Sequence, residues 1–272
     1  MKVFTDPKVY LIAEPKINWE GVRQFLGDMD NYSKKTVNEA WIEGTKPSWH
    51  SDHSDADLLP EFCGRMCYCS FGERQGRTSN QAYLENIIKS GHGSVLEHAN
   101  FTFLITQCSR GFTHEMVRHR AGFAYSQEST HYIDYNEENG RIVLDVRLEG
   151  SGGFVGLGHA MEEVSKKALQ VYEEVYQSLK SKGYKKKEAC SMARQVLPIG
   201  IEAKIAFTAN IRAIRHFCLT RGNLENVLEI RKVAVEVFKI MLDKAPNSMQ
   251  GLSLYIGEDG VLAIRADFGT KV

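Results

Sequence analysis

The chain has 272 residues, 43% hydrophobic and 25% charged, with 34 Lys and Arg set against 34 Asp and Glu. That size and composition fit a single catalytic domain over 1–272 and exclude a fibrous or disordered chain. The zero net charge removes the general electrostatic argument for a nucleic acid or an anionic membrane as partner, but it leaves room for one anion-binding pocket.

The opening segment, MKVFTDPKVYLIAEP, interrupts its apolar residues with Asp6, Pro7, Lys8 and Glu14, unlike an export signal. No segment approaches the run of about 18 apolar residues that a membrane span needs. A cytoplasmic location, with the six cysteines reduced, is the expectation. KVYLIAEP reads as a strand. Residues 44–60, GTKPSWHSDHSDADLLP, read as a loop in which His50, Asp52, His53 and Asp55 are solvated rather than metal ligands. CGRMCYC, carrying Cys63, Cys67 and Cys69, lacks the paired C-x-x-C spacing of a zinc site.

NQAYLENIIKSGHGS sets Tyr83, Leu84, Ile87 and Ile88 at helical spacing, with Gly91 where a C-cap belongs. ANFTFLITQ alternates Phe101, Phe103 and Ile105 with polar neighbours, the pattern of a half-buried strand. Thr113 is the expected cap of a short helix running into Arg118, and RIVLDV is a further strand. The carboxyl half reads as four helices. The first carries an apolar stripe of Met161, Val164, Ala168, Val171, Tyr172, Val175 and Leu179, and the second runs from Lys186 to Val196 before Pro198. The third covers 202–222 and the fourth 224–246. LSLYIGEDGVLAIRA then forms a hairpin over 252–266, turning at Asp259–Gly260. The fold class is mixed α+β (α/β), a helix-rich single domain with a small antiparallel sheet.

The chemistry concentrates in EMVRHRAGFAYSQESTHYIDY, residues 115–135. GFVGLG follows EGSGG rather than a strand, so no glycine cradle is available and side chains must hold any phosphate. A guanidinium fork suits that task, gripping phosphate or a pyrimidine edge at two points. Arg212 and Arg215 lie on an otherwise apolar helix, where each needs a partner such as Glu202 or a path to solvent. Asn210, Arg212 and His216 together suit a polar heterocycle. His92 and His98, six apart, fit no zinc motif, and Ser94 and Glu97 either cap a turn or contact a ligand. Ser126 and Ser129 have no G-x-S-x-G elbow and read as hydrogen-bond donors to phosphate.

RHRAGFAYSQEST resembles the signature of the flavin-dependent thymidylate synthases, Arg-His-Arg followed by a spaced Ser. YLENIIKSGHGSVLEHANFTF and ARQVLPIGIEAKIAFTANIRAIRHFCLTRGN are similar to two further blocks of that family, so the resemblance spans about 60–245 in order. It implies the fold of that family and a homotetramer with active sites between subunits. It also implies FAD, dUMP as acceptor, methylenetetrahydrofolate as one-carbon donor and NADPH as reductant, giving dTMP without a cysteine nucleophile. By position, it assigns His92, Ser94, Arg118, His119, Arg120, Gln127, Asn210, Arg212 and His216 to the flavin. Glu115, Arg118, Gln127, Ser129, His131, Arg194 and Arg221 fall to the nucleotide, with Arg221 and Ser129 as catalytic residues and Arg221 polarising the pyrimidine.

Three positions depart from the pattern. Ser129 follows Arg120 after eight residues rather than seven. His131 stands where the family usually has Arg, and His216 where it often has an amide. An imidazole cannot repeat a bidentate guanidinium grip, so the alternatives are C5-alkylation of another pyrimidine nucleotide, UMP or dCMP, or flavin and nucleotide binding without turnover.

Overall fold

The computed structural model describes residues 1–32, 54–71, 76–77, 79–136, 139–148 and 156–267. His50, Asp52 and His53 lie outside them, as do the first residues of GFVGLG. The strands are β1 (Lys2–Phe4), β2 (Lys8–Ala13), β3 (Asn100–Thr106), β4 (Phe123–Gln127), β5 (Arg141–Val143), β6 (Ile205–Asn210), β7 (Leu252–Ile256) and β8 (Leu262–Ala266). The helices are α1 (Trp19–Tyr32), α2 (Asp55–Met66), α3 (Asn80–Ser90), α4 (Arg110–Met116), α5 (Leu157–Ser181), α6 (Lys186–Ala193), α7 (Ile211–Arg221) and α8 (Leu228–Lys244).

Alternation builds the central sheet. Phe101, Phe103 and Ile105 of β3 are fully buried, and so are Ile205, Phe207 and Ala209 of β6. Their polar neighbours fall on the other face, where the Thr102 and Thr208 hydroxyls meet at 2.9 Å. The antiparallel order is β2-β3-β6-β4, with Phe103 opposite Phe207 and their rings 5.1 Å apart. A parallel pair, β1-β5, and the β7-β8 hairpin stand outside this sheet. α7 and α8 complete the main core with Phe217, Ile214, Phe238 and Met241. A second core joins Leu169 and Tyr172 of α5 to Cys190 and Ala193 of α6 and Ile142 of β5. Among the described residues no helix is long and apolar enough to cross a membrane.

The expected helix 80–90 is present, with Ser79 capping it by accepting from Ala82 N and Gly91 ending it in the left-handed region at φ 74°. The hairpin also forms, with Gly260 at φ 74° in its turn. Five expectations change. The loop read over 44–60 gives way to helix at its end: the Ser54 side chain accepts from Asp57 N and caps α2, and Asp55, in the first turn, accepts from Ile17 N at 2.9 Å rather than standing free in solvent. The single helix over 202–222 divides into β6 and α7, because Ile205, Phe207 and Ala209 keep a period of two. β6 pairs with a strand on each side, so its backbone groups are satisfied only as strand. Thr113 does not cap α4. Ser109 does, its Oγ accepting from Phe112 N at 2.9 Å and donating to Glu229 Oε2 of α8 at 2.7 Å. The fourth helix starts at Leu228, four residues later than its apolar pattern suggests, because Asn223 and Asn226 close a turn instead. The buried side of α5 is centred on Ser165, Leu169, Tyr172 and Tyr176, which leaves Met161 and Val164 exposed.

Buried polar groups lock the helices together. Asp57 of α2 accepts from the Asn247 backbone N–H at 3.0 Å, the Ser248 N–H at 2.8 Å and the Ser248 hydroxyl at 2.5 Å. Arg65 donates to Glu61 in the same helix, and Asn80 of α3 donates to Glu61 at 2.7 Å. Removing one partner here strands the others without water. Asp57→Ala is therefore expected to destabilise the protein by about 3 kcal/mol or more, and Asp57→Asn by less. Urea unfolding midpoints of the two variants against the parent check this ranking.

Candidate active site

The site is organised by the junction of β6 and α7. Asn210 ends the strand in extended conformation, and its Oδ1 accepts from Ala213 N at 2.9 Å, starting the helix. One side of α7 is apolar and buried. The other carries Arg212, His216 and Thr220, exposed and one turn apart. Facing Asn210 is Gly122, at φ 75°, where a Cβ would stand 2.6 Å from the Asn210 amide nitrogen. Only glycine suits both the backbone angle and the close approach. Glu97, Ala121, Gly122, Asn210, Arg212 and His216 surround an open hollow of about 500 Å³. That volume lies within the roughly 300–1,000 Å³ of small-molecule sites.

The basic triplet lies beside this hollow. α4 ends at Met116, and the chain turns so that the backbone carbonyls of Met116 and His119 both accept from the Tyr125 hydroxyl, at 2.8 and 2.6 Å. The His119 ring sits edge-on to Phe217, 5.3 Å between centroids, and 6.2 Å from His216. Burial, helped by the Arg221 and His216 charges, pushes the His119 imidazole down to about 4. It is neutral at physiological pH, and its Nε2 accepts from Arg221 Nε at 2.9 Å. Arg221 Nη1 donates to Glu115 Oε2 and to Asn226 Oδ1, each at 3.3 Å. Arg118 and Arg120 flank His119 and are exposed, and their guanidinium groups have no hydrogen-bond partner among the described residues.

The remaining sequence candidates fall around this centre. Gln127 of β4 donates to Thr113 Oγ1 at 2.6 Å, two residues from Glu115 on α4. Glu97, on the 3₁₀ turn Gly93–Glu97, accepts from Arg212 Nη1 at 2.7 Å. His92 and Ser94 are exposed on that turn and at its entry, and the turn packs against α7. Ser129, His131 and Arg194 form a second cluster. Ser129 Oγ accepts from His131 N at 3.3 Å, Arg194 donates to Thr130 Oγ1 at 2.9 Å, and Lys187 lies 5.7 Å from the Tyr132 ring centre. Burial, then Arg194 and Lys187, hold the His131 imidazole below its ordinary value. No hydrogen bond among the described residues joins this cluster to Arg221.

Arg215 differs from the sequence expectation. It is buried without an acid, donating from Nη1 to the Ser248 and Gln250 carbonyls at 2.7 and 2.9 Å. Glu202 pairs with Arg141 instead. Asn226, Thr130 and Lys187 carry no sequence signal for a role in the site. None belongs to a spaced motif, and each becomes visible only through the arginine or aromatic ring beside it. Cys63, Cys67 and Cys69 are free thiols, and no group of three or more His, Cys, Asp or Glu side chains among the described residues could hold a metal.

The chain matches the family model of the thymidylate synthase complementing protein over residues 51–247. It is 37% identical over 224 residues to the flavin-dependent thymidylate synthase of Mycobacterium sp. (strain JLS), covering 78% of this chain and 86% of that one. The flavin-dependent thymidylate synthase of Mycobacterium tuberculosis (strain ATCC 25177 / H37Ra) is also 37% identical, over 231 residues, covering 82% and 90%. Among solved structures, the UMP/dUMP methylase PolB from Streptomyces cacaoi bound with 5-Br UMP shares the fold. Its TM-score is 0.62 at 20% identity, over 92% of this chain and 95% of that one. Sequence blocks, fold and relatives agree: this chain belongs to the thymidylate synthase complementing protein family, the flavin-dependent thymidylate synthases.

Proposed function

We propose that the protein carries out the reductive methylation of dUMP to dTMP, with FAD as flavin mediator, methylenetetrahydrofolate as one-carbon donor and NADPH as reductant. The observation carrying this reading is the Arg221 guanidinium, held by a neutral His119 of the basic triplet beside a hollow lined by Asn210, Arg212 and His216. Flavin fits these residues. The close Gly122–Asn210 approach shapes a cradle, and Arg118 and Arg120 offer two guanidinium groups with no hydrogen-bonded partner to an anion. His92, Ser94, Arg118, His119, Arg120, Gln127, Asn210, Arg212 and His216 would hold the flavin. When bound, it supplies methylene transfer to the uracil ring and the reducing equivalents.

The nucleotide falls to Glu115, Arg118, Gln127, Ser129, His131, Arg194 and Arg221. Arg221 stabilises charge that develops on a pyrimidine carbonyl, and the Ser129 hydroxyl donates to the substrate. In the proposed homotetramer the active sites lie between subunits. The exposed Leu157, Met161 and Val164 on α5 supply apolar surface for such contacts. His131 favours a second reading, in which the preferred acceptor is a different pyrimidine nucleotide such as UMP or dCMP.

A visible spectrum of the purified protein, followed by NADPH oxidation in the presence of methylenetetrahydrofolate with and without dUMP, tests the assignment. A yellow protein whose oxidation accelerates with dUMP and yields dTMP is the expected outcome. Acceleration by UMP or dCMP alone selects the second reading, and a colourless protein that cannot be reconstituted with FAD rejects both.

His131 predicts a pH-dependent defect. Its proton affinity is lowered, so above pH 7 the imidazole is neutral and grips phosphate without charge. His131→Arg is expected to lower the KM for the nucleotide by up to about tenfold at pH 8, with a smaller gain near pH 5.5.

His119 predicts a stability effect. Its folded value, about 4, lies below the ordinary 6.5. Its neutral form therefore contributes stability that is complete above pH 6.5 and lost as pH falls towards 4. His119→Gln keeps an acceptor that does not titrate, so its melting temperature should fall less steeply than the parent's across that window.

A further inference from the structure

Arg221 is the cation best placed to act on a substrate, yet one end of a long flexible side chain has no fixed direction of its own. Its surroundings supply one. Asn226, in the turn between α7 and α8, accepts from Arg221 Nη1 through Oδ1 at 3.3 Å. The same amide donates through Nδ2 to the Thr220 carbonyl at 2.8 Å and to Asn223 Oδ1 at 2.7 Å. Both of those partners only accept, so the amide cannot flip: Nδ2 must face them, and Oδ1 must face Arg221. Asn223 is itself fixed, its Nδ2 donating to the Thr220 carbonyl at 3.2 Å and its Oδ1 accepting from Glu225 N at 3.1 Å.

His119 fixes the opposite side. Its ring is wedged against Phe217 and Phe123, and its backbone carbonyl is tied to the Tyr125 hydroxyl. Arg Nε–H can only donate, so Nε2 of His119 is the unprotonated nitrogen and Nδ1 carries the hydrogen. Glu115 completes the set, but it is a partly exposed carboxylate at 3.3 Å and holds Arg221 only weakly. With Nε on His119 and Nη1 on Asn226 and Glu115, Nη2 is the one guanidinium nitrogen with no protein partner among the described residues.

We infer that Asn226 and His119 are positioning residues for Arg221, holding its guanidinium by two edges so that Nη2 is presented to a carbonyl of the pyrimidine. This rests on the pyrimidine-nucleotide reading above. Asn226 acts through Arg221 and touches no substrate atom, so its contribution exists only while Arg221 is present.

A double-mutant cycle in the flavin-loaded protein tests that dependence. Asn226→Ala is expected to lower kcat for dUMP about tenfold with less than about threefold change in KM, and to have no further effect in an Arg221→Ala background. An equal loss in both backgrounds, or an unchanged kcat in the parent background, overturns the inference. Asn226→Asp, which keeps the acceptor but loses the two donors, is expected to recover part of the loss, whereas a merely structural turn would be harmed as much as by alanine.

A second measurement needs no turnover. In protein labelled with nitrogen-15 at histidine, the His119 ring is expected to show Nε2 as a hydrogen-bonded acceptor and Nδ1 as protonated at pH 7. Arg221→Ala is expected to move the Nε2 resonance. A ring protonated at Nε2, or one that Arg221→Ala leaves unmoved, overturns the geometry whatever the substrate is. The expected ring signature in a protein inert towards dUMP, UMP and dCMP instead overturns the pyrimidine reading, and with it the role of Nη2.

Discussion

Asn210 is the constraint on which the site depends. At this residue the buried period changes from two to about 3.6, as the central strand of the sheet becomes the helix that carries Arg212, His216 and Arg221. The strand before it is fixed by two paired neighbours and an all-apolar buried face, so the position of Asn210 is set by the core. The cap then sets the direction of the helix. Gly122 reinforces both, since the turn after the basic triplet approaches the Asn210 amide closely enough to exclude any side chain. A core demand, a cap and a glycine thus determine where three separate stretches of sequence meet.

Polar interactions in this protein divide by burial. Asp57, Glu61, Arg65 and Arg215 are deeply buried and act on structure, tying α2, α3, α7 and the 247–250 segment together. Arg215 shows why position along α7 matters more than residue type. Three residues from Arg212, it turns inward, where burial lowers its proton affinity to about 10 and two backbone carbonyls accept from its Nη1. Arg212, on the opposite face, meets only an exposed carboxylate.

Much of this was legible in the sequence wherever one pattern dominated. Phe101, Phe103 and Ile105 alternate cleanly, and Gly91 and Gly260 mark their turns, so those elements follow from periodicity and backbone freedom alone. The stretch Ile205–Asn210 did not, because its small and apolar residues run straight into a helical pattern and local propensity cannot tell a central strand from a buried helix. Only the pairing with β3 and β4 decides it. The site residues became legible through family resemblance, as types at positions, but their partners did not. Asn226 contacts Arg221 from five residues away around a turn, Thr130 contacts Arg194 from 64 residues away, and neither spacing carries a periodic signal. The stripe on α5 failed for another reason: an apolar residue can face a partner surface as readily as its own core, so Met161 and Val164 look alike in sequence whichever they cover.

The charge arrangement of the site bears on how it can accept an anion. Four arginines, Arg118, Arg120, Arg212 and Arg221, lie near one hollow, yet the His119 imidazole beside it is neutral. The nearest carboxylates, Glu97 and Glu115, are partly exposed. Exposed ion pairs of this kind contribute roughly 0–1 kcal/mol, so each carboxylate keeps its guanidinium extended and oriented without binding it tightly. A ligand phosphate can replace either carboxylate with little loss and gains a bidentate contact in a less hydrated setting. Had the carboxylates been buried, exchange would have required stranding a charge. Had the imidazole been protonated, Arg221 would have lost its acceptor and faced a like charge instead. The neutrality of His119 is therefore what allows Arg221 to stand among the other guanidinium groups and still point in a defined direction.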